Sequence, residues 1–163
     1  MIFNNELSVS PITKHISINQ VSRKINQLEI VNKIKIINNF YKKYFLKKPN
    51  FALLSLNPHN YYDSKESKIK EKINGAIKIL KKQKINIKGP VPSDSSFMVF
   101  KKYKFDVIIG MYHDQVLTPF KALYNFNAIN ITLGLPYIRI SPDHGVGQDI
   151  MGKKIANPDS LIE

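Results

Sequence analysis

Apolar positions along this chain recur at two spacings, one typical of amphipathic helices and one typical of buried strands. Across Gln27–Phe45 they lie three or four residues apart, which predicts one long amphipathic helix. The same spacing across Ile69–Leu80, with lysines on the opposite face, predicts a second helix. Two short continuous apolar runs, residues 51–56 and 105–111, predict buried strands, and the latter suits the centre of a parallel sheet.

Shorter apolar runs and turn residues complete the predicted order of elements. Residues 7–13, 128–133 and 137–140 are typical of short strands. The cluster of glycine and proline at Gly89–Pro92 predicts a loop, and Pro158–Ser160 could begin a final helix. Because predicted strands alternate with predicted helices, we expect an α/β fold.

Length and composition place the chain among ordinary globular proteins. Its 163 residues are enough for one domain with a real core, and 43% of them are hydrophobic. The sequence contains no cysteine, which excludes disulfides and thiolate metal sites and agrees with a reducing compartment. No apolar run reaches the length of a membrane span, and the first residues lack the pattern of a signal peptide. We therefore expect a cytoplasmic protein without membrane contacts.

The chain is strongly basic, with 25 Lys and Arg against 12 Asp and Glu and a formal net charge of +13. Such a charge could attract nucleic acid. The lysines, however, are spread along predicted helices, as at residues 65–84, and do not form one strip with aromatic residues. We expect no nucleic-acid partner, and a small anionic substrate is compatible with the same charge. A basic nucleic-acid binder is the alternative, and its binding would depend steeply on salt.

All four histidines lie where a predicted strand or helix gives way to a turn: His15, His59, His113 and His144. They are too far apart in sequence to form a compact ligand motif, and a hydrogen-bonded loop role is the competing interpretation for each. In an open parallel sheet, however, ligands gather at the carboxyl ends of the strands. His15, His59 and His113 could converge there on one divalent ion with an open position, as in a catalytic metal site.

Two carboxylates lie close to these segments. Asp114 directly follows His113, and Asp94 follows the G-P-V-P segment. Either carboxylate could orient a ligand histidine or accept a proton. Capping of a helix N-terminus is the alternative for both, because Asp performs that role well after a turn.

Two cationic residues and one amide form a further candidate set, here termed the cationic group: Lys121, Asn130 and Arg139. Lys121 stands in the apolar stretch T-P-F-K-A-L-Y, and Arg139 stands in P-Y-I-R-I-S. Lys and Arg hold phosphate by charge, Arg with a bidentate fork, so this group could bind a phosphorylated ligand. A structural ion pair is the alternative interpretation.

Residues 141–158 read S-P-D-H-G-V-G-Q-D-I-M-G-K-K-I-A-N-P. Gly145, Gly147 and Gly152 would allow a ligand to approach the backbone closely. The segment lacks the G-x-G-x-x-G fingerprint of dinucleotide-binding proteins, so it suits a nucleotide without specifying one.

Five segments occur in the order found in a known family: L-N-P-H, G-P-V-P-S-D, M-Y-H-D-Q, N-I-T-L-G-L-P-Y-I-R and S-P-D-H-G. Together they resemble the 4-hydroxythreonine-4-phosphate dehydrogenase family of pyridoxal phosphate synthesis, from about Leu7 to Glu163. The segment from D-H-G to I-A-N-P also resembles the nucleotide loop of isocitrate and isopropylmalate dehydrogenases, whose fold this family shares. The resemblance therefore implies an isocitrate/isopropylmalate dehydrogenase-like three-layer α/β/α fold, here incomplete.

The resemblance implies a specific reaction. A member of this family oxidises 4-phosphooxy-L-threonine to a 2-amino-3-oxo acid phosphate, which decarboxylates to 3-amino-2-oxopropyl phosphate during pyridoxine 5'-phosphate biosynthesis. The implied cofactors are NAD, with NADP as the alternative, and a divalent metal (Zn, Co or Mg). Three imidazoles suit Zn, Co or Ni, whereas Mg or Mn prefers oxygen ligands.

By the same resemblance, each motif residue takes a role. The metal ligands would be His15, His59 and His113, and the catalytic carboxylates Asp94 and Asp114. Residues binding the phosphorylated substrate would be Lys121, Asn130 and Arg139, and those binding the cofactor His144, Gly145 and Asn157.

The resemblance also bears on organisation and partners. Family members are homodimers with the site at the subunit interface. They are about twice as long as this chain, so the resemblance implies that a counterpart of their N-terminal half is missing here. Residues 1–125 would form a metal, substrate and dimerisation region, and residues 126–163 part of the NAD-binding domain. We expect little NADH production by the isolated chain.

Three alternatives stay open at this point. The chain could act on D-threonate or D-erythronate 4-phosphate, because the shared motifs hold metal and phosphate and do not read the carbon skeleton. It could be a non-catalytic remnant. It could also be half of a split enzyme that requires a separately encoded N-terminal half.

Overall fold

The computed structural model describes residues 1–58, 67–143, 147–156 and 158. Within these ranges the chain forms seven strands, five α-helices and one short 3-10 helix, η1. The strands are β1 Ile2–Phe3, β2 Ser8–Pro11, β3 Phe51–Leu54, β4 Ile87–Val91, β5 Val107–Gly110, β6 Ile129–Thr132 and β7 Arg139–Pro142. The helices are α1 Ile18–Lys24, α2 Gln27–Tyr44, α3 Ser67–Lys82, α4 Ser96–Tyr103, α5 His113–Tyr124 and η1 Gln148–Ile150.

The strands form one sheet in the order β4-β3-β5-β2-β1-β6-β7. β4, β3, β5 and β2 are parallel, whereas β1 is antiparallel to both β2 and β6, and β7 is antiparallel to β6. β6 therefore runs in the same direction as β2, and the carboxyl ends of β2, β3, β5 and β6 lie along one edge. This carboxyl edge is where an open α/β sheet gathers its ligands.

The sheet separates two hydrophobic clusters, which makes the three layers of the predicted α/β fold. Residues of α2 and α3 pack in one cluster, including Ile34, Ile37, Ile73 and Leu80. Residues of α4 and α5 pack in the other, including Phe97, Phe100, Val116 and Phe120. The α/β prediction is confirmed.

The two elements predicted most directly from apolar spacing both form. α2 begins where the side chain of Asn26 accepts the backbone N–H of Leu28 at 2.8 Å, an N-cap that satisfies a free donor of the first turn. It ends at Tyr44, one residue before the predicted end. β5 is buried along its whole length between two parallel neighbours, β2 and β3, as its uninterrupted apolar run indicated.

The loop predicted at Gly89–Pro92 is wrong, because residues 87–91 form the strand β4. β4 pairs with β3 alone and is the last strand of the described sheet on that side. A proline cannot donate a ladder hydrogen bond, but it is tolerated where one side of the strand has no strand neighbour. Pro90, which follows a cis peptide bond, occupies such a position, and the register with β3 shifts between Ala52 and Leu54.

Gly89 leaves no room for a side chain, and replacing it with alanine is expected to destabilise the fold by about 1–3 kcal/mol. A Cβ there would lie 2.7 Å from the backbone oxygen of Leu53, which the sheet holds in place. Gly75→Ala is the matched control, since its Cβ would meet only the flexible end of the Gln27 side chain and alanine favours helix. Urea denaturation of both variants measures the difference, and equal losses of stability would contradict it.

Candidate functional site

A cavity of about 1040 Å³ opens at the carboxyl edge. Its walls come from the segment after β2, from α2 and α5, and from β6 and β7. The residues that bear on its chemistry are His15, Lys33, His113, Lys121, Asn130 and Arg139.

Two of the predicted metal ligands meet in this cavity. His15 follows β2, and His113, the first residue of α5, is separated from the end of β5 by two residues. Their ring centroids are 5.5 Å apart with the rings inclined at 62°. They meet because β2 and β5 are parallel neighbours in register, with Pro11 opposite Gly110. Wide separation in sequence is thus no obstacle to the meeting of these two rings.

The spacing of this pair suits two ligands of one ion. With bonds of about 2.0–2.1 Å from zinc to each imidazole nitrogen in tetrahedral geometry, two ligand rings would have centroids roughly 5 Å apart. The observed separation of 5.5 Å is close to that value. This ring separation is compatible with two imidazole ligands of one divalent ion.

Asp114 is placed to orient His113. Its Oδ1 lies 2.7 Å from Nδ1 of the His113 ring. A carboxylate on one ring nitrogen favours the tautomer that leaves the other nitrogen, Nε2, free as an acceptor or ligand. Asp94, by contrast, lies exposed in the turn before α4, next to the N-cap residue Ser95, and does not line the cavity.

The predicted phosphate-binding group is brought into the same cavity. Lys121 donates to the backbone oxygen of Asp143 at 3.0 Å, and its Nζ lies 3.6 Å from that residue's Oδ2. Arg139 Nη1 donates to Thr132 Oγ1 at 3.0 Å, and Asn130 lies in β6 beside them. The sequence left a structural ion pair open as the alternative for this group. Lys121 does pair with Asp143, and it lines the cavity as well.

Gln115 fixes the strand ends around the site, a role that sequence reasoning missed. Its buried side chain accepts the Met111 N–H at 2.7 Å and donates to the carbonyls of Ser55 at 2.8 Å and Leu56 at 3.3 Å. It therefore ties the end of β5 to the end of β3. A glutamine two residues after His113 indicates such a bridge only once the strand order is known.

Lys33 was also missed. Its ammonium donates to the carbonyl oxygens of Pro11 at 2.7 Å and Ile12 at 2.8 Å, at the end of β2. Burial, followed by the charge of Lys14, lowers the pKa of Lys33 to about 8, while Glu29 opposes the shift. A cation held by main-chain oxygens thus lines the cavity beside the histidines.

A sequence signal for Lys33 does exist. Lys33 follows Ile30 by three residues and precedes Ile37 by four, so it falls on the apolar stripe of α2. A lysine on a buried stripe needs polar partners, and the strand-end carbonyls supply them.

Several predicted residues lie outside the described residues: His59, His144, Gly145 and Asn157. The third metal ligand and the cofactor residues therefore stay predictions. In the part of the chain that the structure describes, no group of three or more histidines and carboxylates is arranged to hold a metal. Gly147 and Gly152 are described, and their φ angles of 58° and 77° lie in the left-handed region that favours glycine.

Nowhere in the described ranges does a helix combine the length and apolar character needed to cross a membrane.

The whole sequence resembles proteins of vitamin B6 synthesis. Residues 1–163 match the family model described as "Pyridoxal phosphate biosynthetic protein PdxA". A 4-hydroxythreonine-4-phosphate dehydrogenase of Sulfurihydrogenibium sp. (strain YO3AOP1) is 44% identical over 97% of this chain and 49% of its own length. The enzyme of the same name from Bradyrhizobium diazoefficiens is 37% identical over 99% of this chain and 48% of its own length.

Solved structures show the same relationship. A 4-hydroxythreonine-4-phosphate dehydrogenase from Burkholderia phymatum superposes with a TM-score of 0.81 at 30% identity, covering 99% of this chain and 51% of the other. The Klebsiella pneumoniae enzyme gives 0.79 at 32% identity, covering 98% and 48%. This chain spans about half the length of the curated relatives it matches. Matched along its full sequence and by its fold, the chain belongs to the PdxA family of pyridoxal phosphate biosynthetic proteins.

Proposed function

We propose that this chain forms the metal- and phosphate-binding part of an NAD-dependent dehydrogenase that acts on 4-phosphooxy-L-threonine in pyridoxine 5'-phosphate biosynthesis. The observation that carries the proposal is one cavity lined by the His15–His113 pair and by the Lys121, Asn130 and Arg139 group. The names of the relatives support the same substrate. The sequence resemblance supports NAD, or NADP, as the hydride acceptor.

In this proposal the cationic group holds the phosphate. Arg139 offers several N–H donors, of which one bonds to Thr132, so others remain for phosphate oxygens. Lys121 adds charge, and its bond to the Asp143 carbonyl limits the motion of its ammonium. Asn130 offers an amide donor beside them. A substrate anchored by its phosphate would be oriented before any chemistry takes place.

The histidines act at the hydroxyl end. His15 and His113, with His59 as the proposed third ligand, would hold a divalent ion that supplies Lewis acidity toward the substrate hydroxyl when bound. Asp114 keeps the His113 ring in one tautomer and orientation. Because the Asp114 carboxylate already contacts His113, we propose that it orients this ring and does not serve as the proton acceptor.

Partners are part of the proposal. A homodimer, or a separately encoded N-terminal half, would complete the site. The supporting observation is the outer strand β7, where Ile140 stays exposed, as do Tyr137 and Ile138 just before it. Apolar groups clustered at a sheet edge are typical of surfaces that another chain covers.

Calorimetric titration with 4-phosphooxy-L-threonine and with unphosphorylated 4-hydroxy-L-threonine tests the proposal. We expect the phosphorylated ligand to bind at least tenfold more tightly, since hydrogen bonds to a charged group contribute about 1.5–3 kcal/mol each. NADH formation with NAD and Zn, Co or Mg salts is measured in parallel, and we expect little turnover by this chain alone. Equal binding of the two ligands would contradict the proposed function.

The second candidate is a dehydrogenase for D-threonate or D-erythronate 4-phosphate. The phosphate-binding residues of the cavity suit this substrate as well as they suit 4-phosphooxy-L-threonine, because the cationic group recognises phosphate and not the carbon skeleton. Titration with D-erythronate 4-phosphate separates the two, and tighter binding than that of 4-phosphooxy-L-threonine would favour this candidate.

A further inference from the structure

Two lysines of the cavity are not among the residues assigned to the phosphate. Lys33 projects from α2, and Lys14 lies in the segment between β2 and α1. Lys121 and Arg139 come from α5 and β7 instead. The two pairs thus belong to different elements, and both line one cavity.

Lys33 is held as a fixed donor. Two of its three N–H groups bond to the Pro11 and Ile12 carbonyl oxygens, which leaves one for a ligand. A lysine restrained in this way loses less side-chain entropy on binding than a free surface lysine. Lys35, two residues further along α2, is exposed and does not line the cavity.

The charges of Lys14 and Lys33 repel each other. The charge of Lys14 is the second cause, after burial, of the lowered pKa of Lys33, which at about 8 still leaves the ammonium mostly charged at neutral pH. A carboxylate bound to both would relieve that repulsion and gain two charge-assisted hydrogen bonds. Glu29 lies on the same helix and only partly offsets the positive charge.

We propose that Lys14 and Lys33 form a second anion subsite, which binds the carboxylate of a substrate whose phosphate is bound by Lys121 and Arg139. The proposal rests on the proposed function and deepens it. It gives a role to each pair of cations in the cavity, and it assigns selectivity for a substrate that is acidic at both ends.

The test compares 4-phosphooxy-L-threonine with its carboxamide, which replaces the carboxylate by a neutral group of the same size. We expect the chain to bind the carboxylate form roughly tenfold more tightly, a ratio that Lys33→Gln or Lys14→Gln should bring close to one. Lys35→Gln is the matched control and should keep the ratio. Lys121→Gln should weaken both ligands alike.

Each result decides the matter. A tenfold ratio that survives in both Lys33→Gln and Lys14→Gln, or equal binding of the two ligands by the unaltered chain, would overturn the subsite and leave the proposed function standing. If neither phosphate ester binds, the proposed function fails, and malonate then decides the subsite separately. Malonate should protect Lys33 from an acylating reagent in the unaltered chain but not in Lys14→Gln, and this result would support the subsite. Absence of protection in the unaltered chain would overturn it.

Discussion

Replacing His113 with alanine is expected to lower the affinity of the chain for Zn or Co by more than about 100-fold. Loss even of a group that supports a ligand typically costs roughly 10–100-fold in metal affinity, and His113 is proposed as a ligand itself. The His113 side chain is 41% exposed, so we expect its loss to change the free energy of unfolding by less than about 0.5 kcal/mol. Metal titration and urea denaturation of the same preparation measure the two effects.

Asp114→Asn is the matched control for His113→Ala. An amide oxygen can still accept from Nδ1 of His113 but carries no charge, so we expect a smaller loss, within roughly 10–100-fold. Full metal affinity in His113→Ala would show that the ligand assignment is wrong. A loss of metal together with unfolding would indicate a structural role for His113 instead.

Periodicity predicted the elements whose environment is uniform along their length. α2 has one buried stripe and one solvated face, and β5 is buried on both sides, so local sequence reflects tertiary position. β4 was missed because the cost of Pro90 in a strand depends on whether another strand pairs with the proline side of β4. That neighbour cannot be read from the local sequence. The antiparallel pairing of β1 with β2 also depends on strand order, which apolar spacing does not specify.

The candidate site likewise contains a part that could be predicted from the sequence and a part that could not. The meeting of His15 with His113 could be predicted, because residues after parallel strands reach one edge. Lys33 falls on the apolar stripe of α2, but that position does not name its partners, and among 25 Lys and Arg a further helical lysine is readily interpreted as solvated. Its role arises from the Pro11 and Ile12 carbonyls, which lie more than 20 residues earlier in the chain.

Replacing Gln115 with leucine is expected to lower the free energy of unfolding by about 3 kcal/mol. Leucine has a similar volume but leaves the buried Met111 N–H and the Ser55 carbonyl without this partner, and each such group costs about 1–3 kcal/mol. Gln83→Leu is the matched control, since Gln83 is exposed after α3 and should change stability by less than about 0.5 kcal/mol. Urea denaturation measures both variants, and equal stability of the two would rule out the bridging role.

Gln115→Glu tests which half of the bridge matters, through its pH dependence. One carboxyl oxygen can still accept from Met111, but the other faces the Ser55 carbonyl and can donate only when protonated. The folded state therefore favours the protonated form and raises the pKa of the introduced carboxyl. Because the folded state then binds more protons than the unfolded state, stability relative to the unaltered chain should fall as pH rises above about 4.3. A variant equally stable at pH values of about 5 and 8 would show that donation to Ser55 contributes little, and the β3 end would then owe its position to strand pairing alone.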